Sequence, residues 1–320
     1  MPSHQQTVSH REESEEALKA SLNPLEIRER QSRNKVITAA PSIIITVDKN
    51  PGSGDFTSIQ AAIDSLPLVN QDKVLIDVHE GIYIEKVIIP STKAYIKIQG
   101  AGAENTVVQW GDTASSQPSG TYGSATFGID APYFVAKNIT FKVLLAGDAS
   151  AFAGCKILGA QDTLLDQNGR HYYEDCYIEG SVDFICGEAR SYFKGCELHA
   201  IATGAVTAQK RNSSLDNNGF SLVNCRVTGS DLVYLGRAWG RFSTTIFAYT
   251  YMDSNVIPEG WFDWADPSRQ STVTFGEYQC SGPGSNTAGR VKWSKILTDE
   301  EAGRFISLDF IDASEWLDLS

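Results

Sequence analysis

The sequence feature that most constrains the fold is an internal repeat in the middle of the chain. Four segments share one frame around a cysteine: FAGCKILGAQDTL, YYEDCYIEGSVDFI, YFKGCELHAIATGAV and SLVNCRVTGSDLV. The cysteines are residues 155, 176, 196 and 225, and YFVAKNITF carries Asn138 at the same place. The steps from 155 to 176 and from 176 to 196 are 21 and 20 residues, the length of one solenoid coil. The repeat therefore predicts a stack of coils.

Short β-type segments broken by Gly, Asn and Asp run from about residue 43 to residue 280. Helical patterns are missing between them, which argues against a doubly wound α/β fold and favours a parallel β-helix. Coils of such a solenoid lie about 4.8 Å apart, so equivalent residues form ladders. We therefore expect the repeated cysteines to be an internal stack of small apolar side chains and not metal ligands.

Helical patterns mark the two ends of the predicted domain. In DFTSIQAAIDSLP, apolar residues at helical spacing end before Pro67, which predicts a short helix that opens the domain. Near the C-terminus, Thr298 and Glu301 have capping-box spacing, which predicts a helix through about Phe305.

Composition indicates one domain after a polar arm. Residues 1–40 mix charges and nearly lack aromatic residues, so burial cannot offset the entropy of ordering them, and we expect a disordered polar N-terminal arm. Residues 41–320 are expected to form one parallel β-helix domain, because a chain with 42% hydrophobic residues can bury a large core.

The charge balance argues against nucleic acid as a partner. The chain has 27 Lys and Arg against 39 Asp and Glu, and the first forty residues hold six of each sign, so the net charge of −12 arises in residues 41–320. No stretch approaches the length of a membrane span, and the start MPSHQQ lacks the apolar segment of an export signal. We expect a soluble monomer. None of the six cysteines forms the CxxC pair of a structural zinc site, and no metal site is predicted.

Two consecutive coils carry an aspartate seven residues after the cysteine: Asp162 after Cys155 and Asp183 after Cys176. The repeat thus stacks two carboxylates on one face. Two like charges within about 5 Å cannot both ionise freely, so one pKa rises and the other falls, which suits a general acid beside a nucleophile. Stacked aspartates also cap turns or bind calcium, and spacing alone leaves these alternatives open.

Other residues are candidates to complete such a site. Arg237 in YLGRAWG could hold a carboxylate ionised through two hydrogen bonds, and Trp239 on the same strand face could stack on a sugar. Gln161 could donate to an oxyanion, and Gln209 in VTAQ could line the same cleft. From the residues alone, a surface ion pair and a buried tryptophan explain Arg237 and Trp239 better.

Four motifs resemble the plant pectin methylesterases in order and spacing: GIYIEKV (81–87), GAQDTLLD (159–166), GSVDFICGEA (180–189) and YLGRAWG (234–240). The likeness runs from about Ile43 to Leu317. It implies an all-β, right-handed parallel β-helix with a short N-terminal capping helix and a C-terminal helix. It also implies partly methylated homogalacturonan (pectin) as substrate, an extracellular location in the cell wall, no cofactor, and a proteinaceous pectinesterase inhibitor as a partner.

Carried over residue by residue, the resemblance assigns roles to the candidates. Asp183 would be the nucleophile that attacks the methyl ester carbonyl, and Asp162 the acid/base that protonates departing methanol and then activates water. Gln161 is similar to an oxyanion-hole amide, and Arg237 to the residue that holds Asp183. Thr121, Trp239 and Trp261 match positions where the family contacts substrate. With Gln209 and Arg237 they make up the predicted substrate contacts.

The largest departure from the family follows NITFK. The family has a stretch there that ends in a QAVALR-like segment, whose Gln is a principal oxyanion stabiliser, whereas here Lys142 runs straight into VLLAGDASAFAGC. The interval from Asn138 to Cys155 is only 17 residues, which independently indicates a shortened coil. Losing one oxyanion donor typically costs roughly 3–4 kcal/mol of transition-state stabilisation. A catalytically impaired pectin-binding homologue is therefore the alternative to an active esterase.

Two smaller departures flank the second aspartate. Cys186 stands where an aromatic residue is usual, and Glu188 where Asn is common. The extra carboxylate of Glu188 either perturbs the pKa of Asp183 or points outward. A third reading is a glycoside hydrolase or lyase, because two carboxylates about 5 Å apart also suit a retaining glycosidase. Methanol with unshortened polymer would indicate an esterase, and new chain ends would indicate cleavage.

Overall fold

The structure, a computed structural model, describes residues 40–112, 121–141 and 143–318. The arm predicted for residues 1–40 therefore lies outside the described residues, apart from Ala40. The described strands form three parallel sheets, here called A, B and C, and each coil visits them in that order. Each strand pairs in parallel with its equivalent one coil away, which confirms the parallel β-helix.

Sheet A has eleven strands, at Ile43–Val47, Val74–Val78, Ile96–Gly100, Val135–Lys137, Ser150–Ala153, Arg170–Glu174, Arg190–Lys194, Gly219–Val223, Thr244–Ala248, Thr274–Tyr278 and Lys295–Ile296. Sheet B has eight strands, at Gly81–Ile84, Thr106–Gln109, Thr140–Phe141, Lys156–Leu158, Tyr177–Gly180, Glu197–Ala200, Arg226–Gly229 and Tyr251–Met252. Sheet C has eight strands, at Val87–Ile89, Phe127–Ile129, Val143–Leu145, Leu164–Asp166, Ile185–Gly187, Gly204–Gln209, Val233–Ala238 and Trp261–Phe262.

The core lies inside the coil, where equivalent side chains stack along the solenoid. In sheet A the ring of Tyr173 stacks between those of Phe152 and Phe193, with centroids 5.1 and 4.5 Å apart. Register is fixed because a shift by one residue would turn this aromatic ladder outward.

The repeated cysteines form the predicted internal stack. Cys155, Cys176, Cys196 and Cys225 are buried and free, and each thiol lies 3.5–3.6 Å from a backbone carbonyl oxygen of the preceding coil. Cys280 extends the ladder, with its thiol 3.4 Å from the carbonyl oxygen of Phe247.

Asn138 is not at the cysteine position, contrary to the sequence alignment of the repeat. Lys156 pairs with Thr140, so Cys155 stacks on Ile139, and Asn138 matches Gly154 in the preceding turn. Asn138 is exposed and has a left-handed backbone with φ 53°, as Gly154 has with φ 59°. Asn tolerates that conformation, which explains its presence at this turn.

Both predicted terminal helices are present. The first spans Ile59–Ser65 and buries Ile59, Ala62 and Ile63; the carboxylate of Glu85 from the next coil accepts from its first backbone N–H groups. The last spans Asp299–Ile306, carries the predicted capping box, and packs beside sheet A, where Tyr192 donates to the carbonyl of Ile306.

Shorter helical segments complete the description. A four-residue α-helix spans Thr121–Ser124, and 3-10 turns occur at Pro267–Ser271, Pro283–Ser285, Thr287–Gly289, Leu308–Ile311 and Ala313–Glu315. No described helix is long and apolar enough to cross a membrane.

The shortened coil has lost a turn and kept its strands. One residue separates Thr140–Phe141 in sheet B from Val143–Leu145 in sheet C, whereas residues 159–163 and 181–184 fill that turn in the next two coils. Val143–Leu145 still pairs with strands on both sides. The missing segment therefore falls outside the sheets that hold the core.

Candidate active site

Asp162 and Asp183 occupy the same turn, between sheets B and C, in consecutive coils. Both have a left-handed backbone, with φ 49° and 53°, which is uncommon outside glycine. The N–H of Asp162 donates to the carbonyl of Val182 at 3.2 Å, and two residues later Leu164 pairs with Ile185. The structure thus brings the two aspartates together, one coil apart, as the repeat predicts.

The two carboxylates have different surroundings. Asp183 is buried, with 5% of its surface exposed, and burial raises its pKa above the ordinary value while the charge of Arg237 opposes that rise. Asp162 is only partly buried, and the thiol of Cys186 lies 3.9 Å from its Oδ1 atom. Burial and the nearby aspartates raise the pKa of the Cys186 thiol well above its usual range, so this thiol stays protonated and acts as a weak donor.

Arg237 holds Asp183 through two hydrogen bonds. Its Nε donates to Oδ1 at 2.7 Å, and its Nη2 donates to Oδ2. The guanidinium carbon lies 4.3 Å from the ring centroid of Trp264, a cation–π distance. The carboxylate is therefore oriented by a cation that an aromatic ring covers.

An apolar floor lies beside the carboxylate pair, on the outer face of sheet C. It consists of Leu144, Leu165, Cys186 and Ala208, with Ala125 against them, and Trp239 and Trp264 pack against it. Arg237 pairs with Ala208 and continues the same outward row. The floor residues are themselves buried, and they place the partly exposed rings of Trp239 and Trp264 next to two carboxylates and a guanidinium.

A second outward row follows two residues further along these strands. Lys210 forms an ion pair with Glu188, at 2.6 Å, and its ammonium lies 5.0 Å from the ring centroid of Trp239. Glu188 therefore points outward to Lys210, which is the second of the two alternatives given for it above. The pKa of Asp183 is shifted by burial and by Arg237 instead.

Two predicted substrate contacts lie inside the coil instead of on this face. Gln209 is fully buried and its Oε1 accepts from the N–H of Thr244, because Ala208 takes the outward position beside it. Trp261 is 1% exposed and stacks on Phe275 with centroids 4.6 Å apart. The structure does not bring either residue to the carboxylates.

The remaining predicted residues have mixed positions. Gln161 is exposed and adjoins Asp162, so its amide is free to turn toward the cleft. Trp239 lies on the same side as Arg237, as the alternation predicts. The side chain of Thr121 lies outside the described residues.

Sequence reasoning missed Trp264. It lies three residues after Trp261 in GWFDWAD, and the strand that begins at Trp261 has only two residues, so strand alternation gave no guide to which tryptophan faces outward. A left-handed backbone at Trp264, with φ 63°, turns its ring over Arg237.

A polar cavity adjoins the outer row at Glu188. It has a volume of about 550 Å³, is lined by Glu188 with Arg170, Arg190 and Asp312 among others, and includes neither aspartate of the pair. Within the described ranges, no three His, Cys, Asp or Glu side chains gather as a metal site would require.

Comparison with known proteins gives consistent matches. The family model described as pectinesterase matches residues 44–314. Pectinesterase QRT1 of Arabidopsis thaliana is 41% identical over 86% of this chain and 79% of its own length. Pectinesterase 31 of the same plant is 40% identical over 83% of this chain and 92% of its own. Among solved structures, pectin methylesterase from carrot is 29% identical, with a TM-score of 0.80 over 88% of this chain and 98% of that one.

Proposed function

Because this chain belongs to the pectinesterase family of carboxylic ester hydrolases, we propose that it hydrolyses the methyl esters of galacturonate units in pectin, with Asp183 as nucleophile and Asp162 as acid/base. The observation that carries the proposal is the pair itself: one buried carboxylate held by Arg237, stacked on a second, partly exposed carboxylate. The first is suited to attack, and the second to exchange protons with solvent.

The first half of the reaction forms an acyl-enzyme. A carboxylate oxygen of Asp183 attacks the ester carbonyl carbon, and the carbonyl oxygen becomes an oxyanion. As the intermediate collapses, the bond to the methoxy oxygen breaks and protonated Asp162 gives that oxygen its proton. Methanol leaves, and the galacturonyl group is joined to Asp183 as an anhydride.

The second half restores the enzyme. Asp162, now ionised, takes a proton from water, and the resulting hydroxide attacks the acyl carbon. The bond to Asp183 breaks, and galacturonic acid is released and loses its proton to solvent to give the free carboxylate. Asp162 ends protonated, as it began, so no external oxidant, reductant or cofactor enters the balance.

Arg237 matters because Asp183 must be ionised to attack although burial favours its neutral form. The two hydrogen bonds from the guanidinium stabilise the anion and fix the direction of its oxygens. The sugar would lie on the apolar floor, against Trp239 and Trp264.

The oxyanion has fewer donors than the family pattern supplies. The turn that would carry the missing Gln is shortened to one residue, and buried Gln209 cannot replace it. Gln161, exposed and adjacent to Asp162, is the amide we assign to this role. A slow esterase, or in the limit a silent pectin-binding homologue, is the second candidate that this shortened turn favours.

The family relationship also supports the setting. We propose that the protein acts outside the cell on cell-wall pectin, and that a proteinaceous inhibitor of pectinesterases could cover the same cleft.

The test is methanol release from highly methylated pectin by the purified chain, with Asp183→Ala alongside. Release by the wild type that disappears in the variant, without shortening of the polymer, is the expected result. Folded wild-type protein that releases no methanol would establish the silent homologue, and new reducing or unsaturated ends would indicate chain cleavage instead.

A further inference from the structure

The ion pair between Glu188 and Lys210 stands next to the proposed catalytic row. Cys186 pairs with Ala208, and Ala208 with Arg237, which defines the outward row beside Asp183. Glu188 and Lys210 each lie two residues further on. Two residues of strand span roughly 7 Å, so this pair flanks the floor within the length of a short oligosaccharide.

Backbone hydrogen bonds between adjacent coils continue past the strands to Glu188 and Lys210. The N–H of Lys210 donates to the carbonyl of Gly187 at 2.8 Å, and that of Glu188 donates to the carbonyl of Gln167 at 3.2 Å. The two side chains therefore leave the sheet from adjacent coils on the same outer face. Trp239 lies under the Lys210 ammonium, 5.0 Å away, and also packs on the apolar floor.

Both charged groups are open to solvent. The side chains of Lys210 and Glu188 are 32% and 31% exposed, so a bound polymer could reach either of them. With Glu188 present, the positive charge of Lys210 is cancelled locally. In the resting enzyme, with Asp162 protonated, the charges of Asp183 and Arg237 also cancel each other.

This arrangement determines how well the face would bind a galacturonate unit whose carboxylate is not esterified. A galacturonate unit with a free carboxylate would lose hydration here and meet only a neutralised lysine, whereas a methyl ester brings no charge to desolvate. Without Glu188, the same carboxylate would meet an unpaired ammonium held over an aromatic ring.

We propose that Glu188 is a specificity-determining residue: by neutralising Lys210 beside Trp239, it makes this subsite disfavour an unesterified galacturonate and prefer a methyl-esterified one next to the ester being hydrolysed. This inference rests on the proposed function, because it uses the same cleft and polymer. It makes the enzyme prefer dense runs of esters over sparsely methylated pectin.

Variants of the two partners must act in opposite directions. Glu188→Gln leaves Lys210 unpaired and should tighten binding of unesterified oligogalacturonate about three- to sevenfold, the effect of a unit charge at roughly 7 Å in a largely aqueous medium. Lys210→Met leaves Glu188 unpaired and should weaken binding by a similar factor. Both effects should shrink as salt screens the charges.

The measurement is the dissociation constant of an unesterified oligogalacturonate, which the proposed reaction cannot consume, at low and high salt. Glu174→Gln is the matched control, because Glu174 forms a comparable ion pair with Lys194, at 2.7 Å, on sheet A. It changes the net charge by the same amount and should leave the dissociation constant unchanged.

The outcomes separate this inference from the proposed function. Opposite shifts for Glu188→Gln and Lys210→Met support the inference, even if wild-type protein releases no methanol. Equal affinities for all four proteins, absence of binding in all of them, or an equal shift in Glu174→Gln would overturn it, even if methanol release establishes the esterase.

Discussion

Trp264 lies with its ring centroid 4.3 Å from the guanidinium carbon of Arg237, and so covers the cation that holds Asp183. The ring excludes water from one face of the guanidinium, while the carboxylate takes two of its donors. Without the ring, water would hydrate that face and weaken the hydrogen bonds from Arg237 to the carboxylate, so the orientation of the proposed nucleophile depends on Trp264 through Arg237.

Replacing Trp264 should therefore lower activity through Arg237. We expect Trp264→Leu to reduce kcat/KM for methanol release by about 2- to 30-fold, which corresponds to a cation–π energy of roughly 0.5–2 kcal/mol. Trp264→Phe keeps an aromatic face and should retain more activity than the leucine variant. Equal losses in both variants would show that the indole acts by size or by sugar contact and not through the cation.

Arg237 should set the acid limb of the pH–rate profile. Asp183 acts as an anion and burial raises its pKa, so activity should fall with decreasing pH at values above the ordinary aspartate pKa of about 3.9. Arg237 opposes the rise, and Arg237→Gln should move the limb to higher pH by roughly one unit or more. A limb that stays in place, measured as kcat/KM against pH, would mean that another group limits the rate.

Replacing Gln161 should affect catalysis, whereas replacing Gln209 should affect stability. Gln161 is exposed beside Asp162, and Gln161→Ala should lower kcat by about 10²–10³ if it is the oxyanion donor, with little change in melting temperature. Gln209 is buried and accepts from the backbone of Thr244, so Gln209→Ala should lower the free energy of unfolding by roughly 1–3 kcal/mol. Methanol release and thermal unfolding of both variants decide between these roles, and reversed effects would contradict them.

The thiols of the cysteine ladder should not react with alkylating reagents in the native protein. Burial raises the pKa of Cys155, Cys176 and Cys196 well above the usual range, and that of Cys280 to about 11. An alkylating thiol reagent at neutral pH should therefore modify none of these four before unfolding and all of them in denaturant. Mass spectrometry of the labelled chain measures this, and rapid labelling of Cys155 in folded protein would contradict the ladder.

The repeat allowed the fold to be predicted because coil length and the cysteine frame are visible in the sequence. The register within a coil was harder to read. Asn138 was assigned one position too late, since Asn in a turn and Cys in a ladder are adjacent and the shortened coil removed the spacing that would distinguish them. The pairings of Lys156 with Thr140 and of Ala153 with Lys137 settle the alignment.

The site was predictable where it follows the repeat, and not where it depends on which side of a strand faces outward. Asp162 and Asp183 share one offset and could be found by counting. Gln209 could not be placed, because its inward direction follows from the pairing of its neighbour Ala208 with Arg237, a contact between coils. Trp264 depends on a left-handed turn that its sequence does not signal.

The shortened turn before Val143–Leu145 has a consequence for how this architecture can change over evolution. Within the three sheets each described strand pairs only with its equivalents in adjacent coils, and the strand after the missing segment remains in register with both of its partners. An insertion or deletion confined to a turn is therefore not transmitted along the solenoid. A change in one turn can therefore alter catalysis while the strand pairing that holds the fold together stays the same. Active and inactive relatives can then share one fold.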